Sequence, residues 1–142
     1  MNLCMIAYIV GAVMEIEAGL MLLPALVGLI YGEKNALSFV ICAAAAAIIG
    51  AIPILRKPKN TAIYAREGFV ATALSWLTLS AVGAVPFCMT GQIPHYINAL
   101  FEMVSGFTTT GASILYEVES MDHCMLFWRS FSHWIGGMGV LV

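Results

Sequence analysis

Apolar residues run almost unbroken from Leu3 to Ile30 and again from Ala36 to Leu55, with the polar turn Tyr31-Gly-Glu-Lys-Asn between them. A membrane helix needs about 20 consecutive apolar residues. Both stretches are therefore predicted to span a bilayer. The first is long enough to cross with tilt, and Pro24 near its end predicts a kink. The alanine run Ala43–Ala47 in the second lets another helix come close. A third apolar stretch, Gly68–Thr90, predicts a third span, with Pro86 near its end. Gly91-Gln-Ile-Pro then breaks the chain.

Pro94–Phe107 has a helical pattern, with Pro94 placed to start it. At about 1.5 Å per residue, such a helix reaches only about 20 Å, short of a hydrocarbon core of about 30 Å. A short apolar helix that enters without crossing is re-entrant. Thr108–Ser113 can return as extended backbone, at about 3.3 Å per residue. Cys124–Val142 begins a further span, with Gly136-Gly-Met-Gly inside it. No internal repeat is visible.

Composition agrees with a lipid-facing chain: 61% of the 142 residues are hydrophobic and 10% are charged, against about 25% charged in soluble domains. A cleaved leader does not explain this, because apolar segments recur along the whole chain. The net charge of -2 says little about partners, and no basic run is dense enough for nucleic acid. Four of the six Lys and Arg residues (Arg56, Lys57, Lys59, Arg66) fall between positions 56 and 66. The positive-inside rule makes that loop, and hence the N-terminus, cytoplasmic. Cys4, Cys42, Cys88 and Cys124 stand singly, without metal-site or redox spacing. His95, His123 and His133 also lack ligand spacing.

Candidate chemistry concentrates in Gly106–Ser113, Gly-Phe-Thr-Thr-Thr-Gly-Ala-Ser. Lipid does not tolerate unpaired backbone, so a non-helical strip at membrane depth must be buried or line a water-filled path. Backbone carbonyls in succession can replace the hydration shell of a monovalent cation. Thr108, Thr109, Thr110 and Gly111 are the candidate donors. Threonine suits extended backbone, and Gly111 can adopt a positive φ that re-aims a carbonyl. The C-terminal end of the short helix, near Phe107, points a partial negative charge along the path. Glu117, Glu119 and Asp122 would concentrate cations at the outer mouth. The alternative is a non-conducting membrane scaffold or assembly protein in which 106–113 is only a turn. An intramembrane enzyme is disfavoured, since no Ser/His, paired Asp or His-Glu-x-x-His arrangement stands out, and no catalytic residue is assigned.

Other polar residues carry structural expectations. Arg129, early in the last span, is expected either to pair with Glu102 and brace the short helix or to reach the outer headgroups. Glu15 and Glu17 are about 200° apart on a helix and cannot face one site. Gly136, Gly137 and Gly139 lack nucleotide-loop spacing, which leaves close helix packing or a hinge. Trp128 is expected at the outer interface and Trp134 inside the protein.

Gly-Phe-Thr-Thr-Thr-Gly-Ala-Ser, then Trp128-Arg-Ser and Trp134-Ile-Gly-Gly-Met-Gly, resembles the first pore repeat of the Trk/Ktr family of potassium uptake proteins. Leu22-Leu-Pro-Ala and Leu29-Ile-Tyr-Gly-Glu resemble the N-terminal helix pair of its TrkH branch, a pair the KtrB branch usually lacks. The resemblance covers essentially the whole chain. It implies an all-α integral membrane fold: an N-terminal transmembrane hairpin (1–60), then the first helix–pore loop–helix repeat (61–142) of a four-repeat, potassium-channel-like fold. In that repeat 68–90 is the outer helix, 94–107 the pore helix, 108–113 the filter and 124–142 the start of the inner helix. By position, Thr109 and Thr110 match the ion-coordinating threonines and Gly111 the filter glycine, with Thr108 and Ala112 as flanking candidates. The resemblance further implies potassium as the transported ion, a bacterial or archaeal cytoplasmic membrane, a dimer of membrane subunits and a cytosolic nucleotide-binding regulatory partner of the TrkA type. The family continues through three more repeats, so this chain is expected to be an N-terminal fragment supplying one quarter of a pore. Coupling to protons or sodium stays open.

Overall fold

A computed structural model describes residues 2–58 and 61–141. Among them are six helices and no strand: α1 (Leu3–Leu20), α2 (Leu22–Ile30), α3 (Ala36–Leu55), α4 (Ala65–Met89), α5 (Tyr96–Phe107) and α6 (His123–Leu141). Among the described residues, three segments are long and apolar enough to cross a membrane: Leu3–Ile30, Ala36–Leu55 and Ala65–Met89. Lys59, one of the four clustered basic residues, lies outside the described residues.

The first span, Leu3–Ile30, is a 28-residue helical stretch with one irregular position shortly before Pro24, and the Met21 N–H there still donates to Glu17 O at 2.8 Å. The Met21 backbone stays near helical (φ -64, ψ -17). Pro24 has no N–H to offer Leu20, and its ring presses on that carbonyl. The disturbance therefore appears one turn before the proline. In α3, Pro53 lies in the last turn. It faces α1, where a Cβ on Gly11 would sit 2.6 Å from Pro53 Cγ and 2.7 Å from the Gly50 carbonyl oxygen. Gly11 and Gly50 thus let the two backbones touch, and Ala43 and Ala46 are buried on α3. This is packing by small residues, which suits helices that gain little from hiding from lipid.

Two helix starts differ by two or more residues from the sequence expectation. Helix α4 starts at Ala65, three residues before Gly68. The Glu67 carboxylate accepts from the Tyr64 N–H at 3.3 Å and from the Asn2 N–H at 2.5 Å. This cap satisfies an orphan donor of α4 and ties the chain start to it. The start of α1 therefore lies at the same end as Arg66. Helix α5 starts at Tyr96, so Pro94 precedes the helix and His95 is its N-cap, with φ -90 and ψ 119. The His95 carbonyl accepts from Asn98 and Ala99, at 3.0 and 3.1 Å. The resulting 12-residue helix is about 18 Å long, still too short to cross.

The turn after α2 holds the start of α6. Glu33 accepts from the N–H groups of His123 (2.7 Å) and Cys124 (3.0 Å), and meets His123 Nδ1 at 2.8 Å. Tyr31 stacks on the His123 ring at 4.0 Å, and Asn35 donates to Asp122. Desolvation opposes ionisation of Glu33, but the N–H groups of Cys124 and His123 and the two side chains outweigh it. Together they lower its pKa from 4.5 to about 2. The folded protein keeps Glu33 ionised to a lower pH than the unfolded chain does. Its capping contribution is thus complete above about pH 4.5 and is lost as the pH falls toward 2. Glu33→Gln is expected to cost about 1–2 kcal/mol at neutral pH and to flatten the acid side of the stability profile. Thermal unfolding in detergent from pH 7 to pH 3 checks this; parallel curves for the two proteins would contradict it.

The core gathers behind α5. Trp128 is fully buried, edge-on to Phe39 (6.1 Å) and Phe107 (6.5 Å). Its Nε1–H donates to the Gly83 carbonyl at 3.1 Å. Trp134 is 59% exposed and stacks on Phe131 at 5.3 Å. Trp128, expected at the outer interface, is thus inside the protein, and Trp134, expected inside, is exposed on this chain. A buried indole needs an acceptor, and Gly83 on α4 supplies one only to Trp128.

Candidate functional site

The short helix α5 is seated by two glycine contacts with α6. A Cβ on Gly136 would collide with the Phe107 carbonyl oxygen and lie 2.7 Å from its carbon. A Cβ on Gly106 would collide with Ser132 Oγ. These approaches press α6 flat against the last turn of α5. Phe107, 1% exposed, is gripped edge-on between Trp76 (6.3 Å) and Trp128 (6.5 Å). Gly139 lies against Trp76, where a Cβ would be 3.0 Å from the ring. Of the three glycines, Gly136 and Gly139 serve close packing, while Gly137 has only Thr109 Cγ2 nearby, at 3.9 Å.

The strip after Phe107 does not leave as a straight extended segment. Thr108 and Thr109 still turn, and irregular backbone begins at Thr110. The Thr108 N–H donates to Val104 O (2.9 Å) and the Thr109 N–H to Gly106 O (3.0 Å). The Thr110 and Gly111 N–H groups both donate to Ser105 O, at 2.9 and 3.5 Å. The unpaired carbonyls of the last helical turn thus collect the strip's donors. Gly111 has a φ of +77, as its residue type permits, and Thr109 has a φ of +56. A β-branched residue in that region costs about 1–2 kcal/mol.

The carbonyls divide into two sets. Thr108 O accepts from Thr109 Oγ1 at 2.7 Å, and Ala112 O accepts from Ser105 Oγ at 2.5 Å. Those of Thr109, Thr110 and Gly111 accept no hydrogen bond among the described residues, and all three residues are exposed. The Thr108 hydroxyl sits 2.8 Å from that of Thr110 and donates to Val104 O at 2.7 Å.

Behind the strip lies a buried carboxylate. Glu102, 1% exposed, accepts from Arg129 Nε at 2.5 Å. It also accepts from Ser113 Oγ at 3.0 and 3.1 Å and from the Ile114 N–H at 3.1 Å. Ser113 Oγ in turn accepts from the Leu115 N–H at 3.1 Å. The structure thus brings Glu102 and Arg129 together, and adds Ser113 and Ser105, which sequence reasoning did not single out. Their signal was available: Glu102 and Ser105 are one turn apart, polar side chains on one face of an apolar helix.

The remaining polar residues lie elsewhere. Glu117 and Glu119 are exposed beyond the strip, whereas Asp122 is engaged by Asn35. Glu17, 1% exposed, points toward Gly83 of α4, and neither of its oxygens has a partner among the described residues. Glu15 faces Gly50 of α3 instead. His133 Nδ1 lies 2.9 Å from Arg129 O. The four cysteines are unpaired with one another; Cys124 lies with Glu33 and Asp122, their ligand atoms within 4.8 Å, but the Glu33 carboxylate already caps α6.

Comparison with known proteins gives one consistent result. The family model TrkH, described as a cation transport protein, matches residues 34–142. The chain is 37% identical over 138 residues to a cation transporter of Methanocaldococcus jannaschii, covering 96% of this chain and 29% of that one. It is 39% identical over 142 residues to the Trk system potassium uptake protein TrkH of Salmonella typhimurium, with the same coverage. The crystal structure of the potassium transporter TrkH from Vibrio parahaemolyticus superimposes with a TM-score of 0.92 at 31% identity, over 99% of this chain and 31% of that one. The chain thus spans less than a third of the length of these relatives. With its three apolar spans and its short helix seated on α6, this multi-pass membrane chain belongs to the TrkH family of cation transport proteins.

Proposed function

We propose that this chain supplies one wall of a potassium-selective filter in a protein that takes up potassium across the cytoplasmic membrane. The observation that carries the reading is the set of three adjacent carbonyls, on Thr109, Thr110 and Gly111, that accept no hydrogen bond within the described chain. At membrane depth a carbonyl is rarely left without a partner, and a partly dehydrated cation is a suitable one. The φ pattern supports this. Thr108 is at -84, Thr109 at +56 and Gly111 at +77, and Thr110 is not among the positive-φ residues. Alternating the sign of φ turns successive carbonyls toward one side, where a regular strand would alternate them. Strain held at Thr109 is the kind that persists at functional sites.

In this reading the ion is cargo and no bond is made or broken. Thr109, Thr110 and Gly111 coordinate it through backbone oxygen. Thr108 and Ala112 flank the site with carbonyls already bonded within the chain. The C-terminal end of α5 favours a cation electrostatically, and Glu117 and Glu119 raise the local cation concentration. The Glu102–Arg129 pair braces the strip from behind. Residues 1–60 form an N-terminal hairpin and 61–142 the first pore repeat, with the N-terminus cytoplasmic. The complete protein would work as a dimer with a TrkA-type cytosolic regulatory subunit.

The test is growth rescue. The complete gene product, expressed in a bacterium lacking its own potassium uptake systems, should restore growth at limiting potassium. Normal membrane expression with no rescue and no potassium or rubidium flux would favour a non-conducting scaffold.

A further inference from the structure

We propose that Ser105 is a positioning residue that sets the ion preference of the strip, an inference that rests on the filter reading above. Buried hydroxyls in membrane helices usually satisfy themselves by bonding the carbonyl one turn back. The two buried serines of helix α4 do this: Ser75 donates to Ala71 O (2.8 Å) and Ser80 to Trp76 O (2.9 Å). Ser105 is also buried in a helix, at 4% exposure, yet its hydroxyl does not turn back. It reaches forward and donates to Ala112 O at 2.5 Å.

The consequence lies in where that bond closes. Ser105 O already receives the N–H groups of Thr110 and Gly111, at 2.9 and 3.5 Å. One residue therefore holds the strip at its middle through the backbone and at its far end through the side chain. The backbone part is independent of residue type; the hydroxyl is not. The Ser105 hydroxyl occupies one lone pair of the Ala112 carbonyl, which makes that oxygen a poorer ion ligand, and fixes the length of the loop that carries Thr109, Thr110 and Gly111. Without it, Ala112 O becomes a free acceptor on an exposed, irregular segment and can compete for the ion. A looser carbonyl cage of variable size discriminates less between cations of different radius.

Ser105→Ala in the complete protein removes only the hydroxyl from a buried position, so folding should survive. The expected result is normal membrane abundance with a fall of about 3–10-fold in the preference for potassium over sodium, the worth of roughly one hydrogen bond. This is read from half-saturating concentrations of each ion in uptake assays. Ser105→Thr, which keeps the donor, should restore the preference. An unchanged potassium-to-sodium ratio in Ser105→Ala would overturn the proposal, as would an equal fall for both ions matched by lost protein. Gly111→Asp, run in parallel, separates the two levels. If Gly111→Asp conducts normally, the filter reading fails and this inference with it. If Gly111→Asp is dead and the Ser105→Ala ratio is unchanged, only the Ser105 assignment fails.

Discussion

Gly111→Asp in the complete protein is expected to abolish potassium uptake while leaving membrane abundance intact. Gly111 has a φ of +77, and nothing lies within 4 Å of the position a Cβ would take. Crowding within this chain is therefore not the cause of the loss. Aspartate is among the residues that best tolerate this backbone region, so the strip keeps its course. What changes is charge. A carboxylate about 4 Å from a cation, at an effective dielectric constant of about 20, adds roughly 4 kcal/mol of attraction, enough to slow release about 10³-fold. Conduction needs binding weak enough for the ion to leave. Gly111→Ala is the paired control. It meets the left-handed penalty of about 1–2 kcal/mol without the charge and should lose only about 5–30-fold. Rubidium flux in proteoliposomes measures both. Undiminished flux in Gly111→Asp would remove the strip from the ion path.

The second large effect is expected at the buried pair. Arg129→Met leaves the Glu102 carboxylate 1% exposed and without its cation, and should destabilise the protein by about 3–5 kcal/mol. Glu102→Leu should cost a similar amount. The double variant replaces both charges with apolar groups and should recover much of the stability, so the coupling in a double-mutant cycle should exceed either single loss of about 3–5 kcal/mol. Uptake should not recover with it, because Glu102 also holds Ser113 Oγ and the Ile114 N–H. Thermal unfolding in detergent and rubidium flux on the same preparations read the two quantities separately. Additive destabilisation would show that the pair does not act as a unit. Full uptake in the stable double variant would show that the strip does not depend on Glu102.

The apolar run lengths made the spans legible because a bilayer imposes a length on any helix that crosses it. The bounds of α3, Ala36–Leu55, coincide with those predicted. The short helix was legible for the same reason in reverse. Local chemistry was less decisive at its start, where Pro94 suits a first helical position but His95 takes the cap. The burial of Trp128 rather than Trp134 has a different origin. Helix α6 is apolar on most sides, so its sequence does not say which face turns inward. That choice was made by Gly136 against Phe107 and by the Gly83 carbonyl waiting for an indole N–H.

In Gly106–Ser113, composition and length alone mark a strip whose backbone has to find partners at membrane depth, and a resemblance adds its expected cargo. They do not say which carbonyls stay open. That depends on Ser105 reaching Ala112, on Glu102 reaching Ser113 and Ile114, and on Arg129 arriving from 27 residues away. Hydropathy is a property of each residue summed along the chain, so it survives in the sequence. A hydrogen bond between distant residues depends on how close packing brings two helices, and here that was set by glycines whose spacing carries meaning only once α5 and α6 touch.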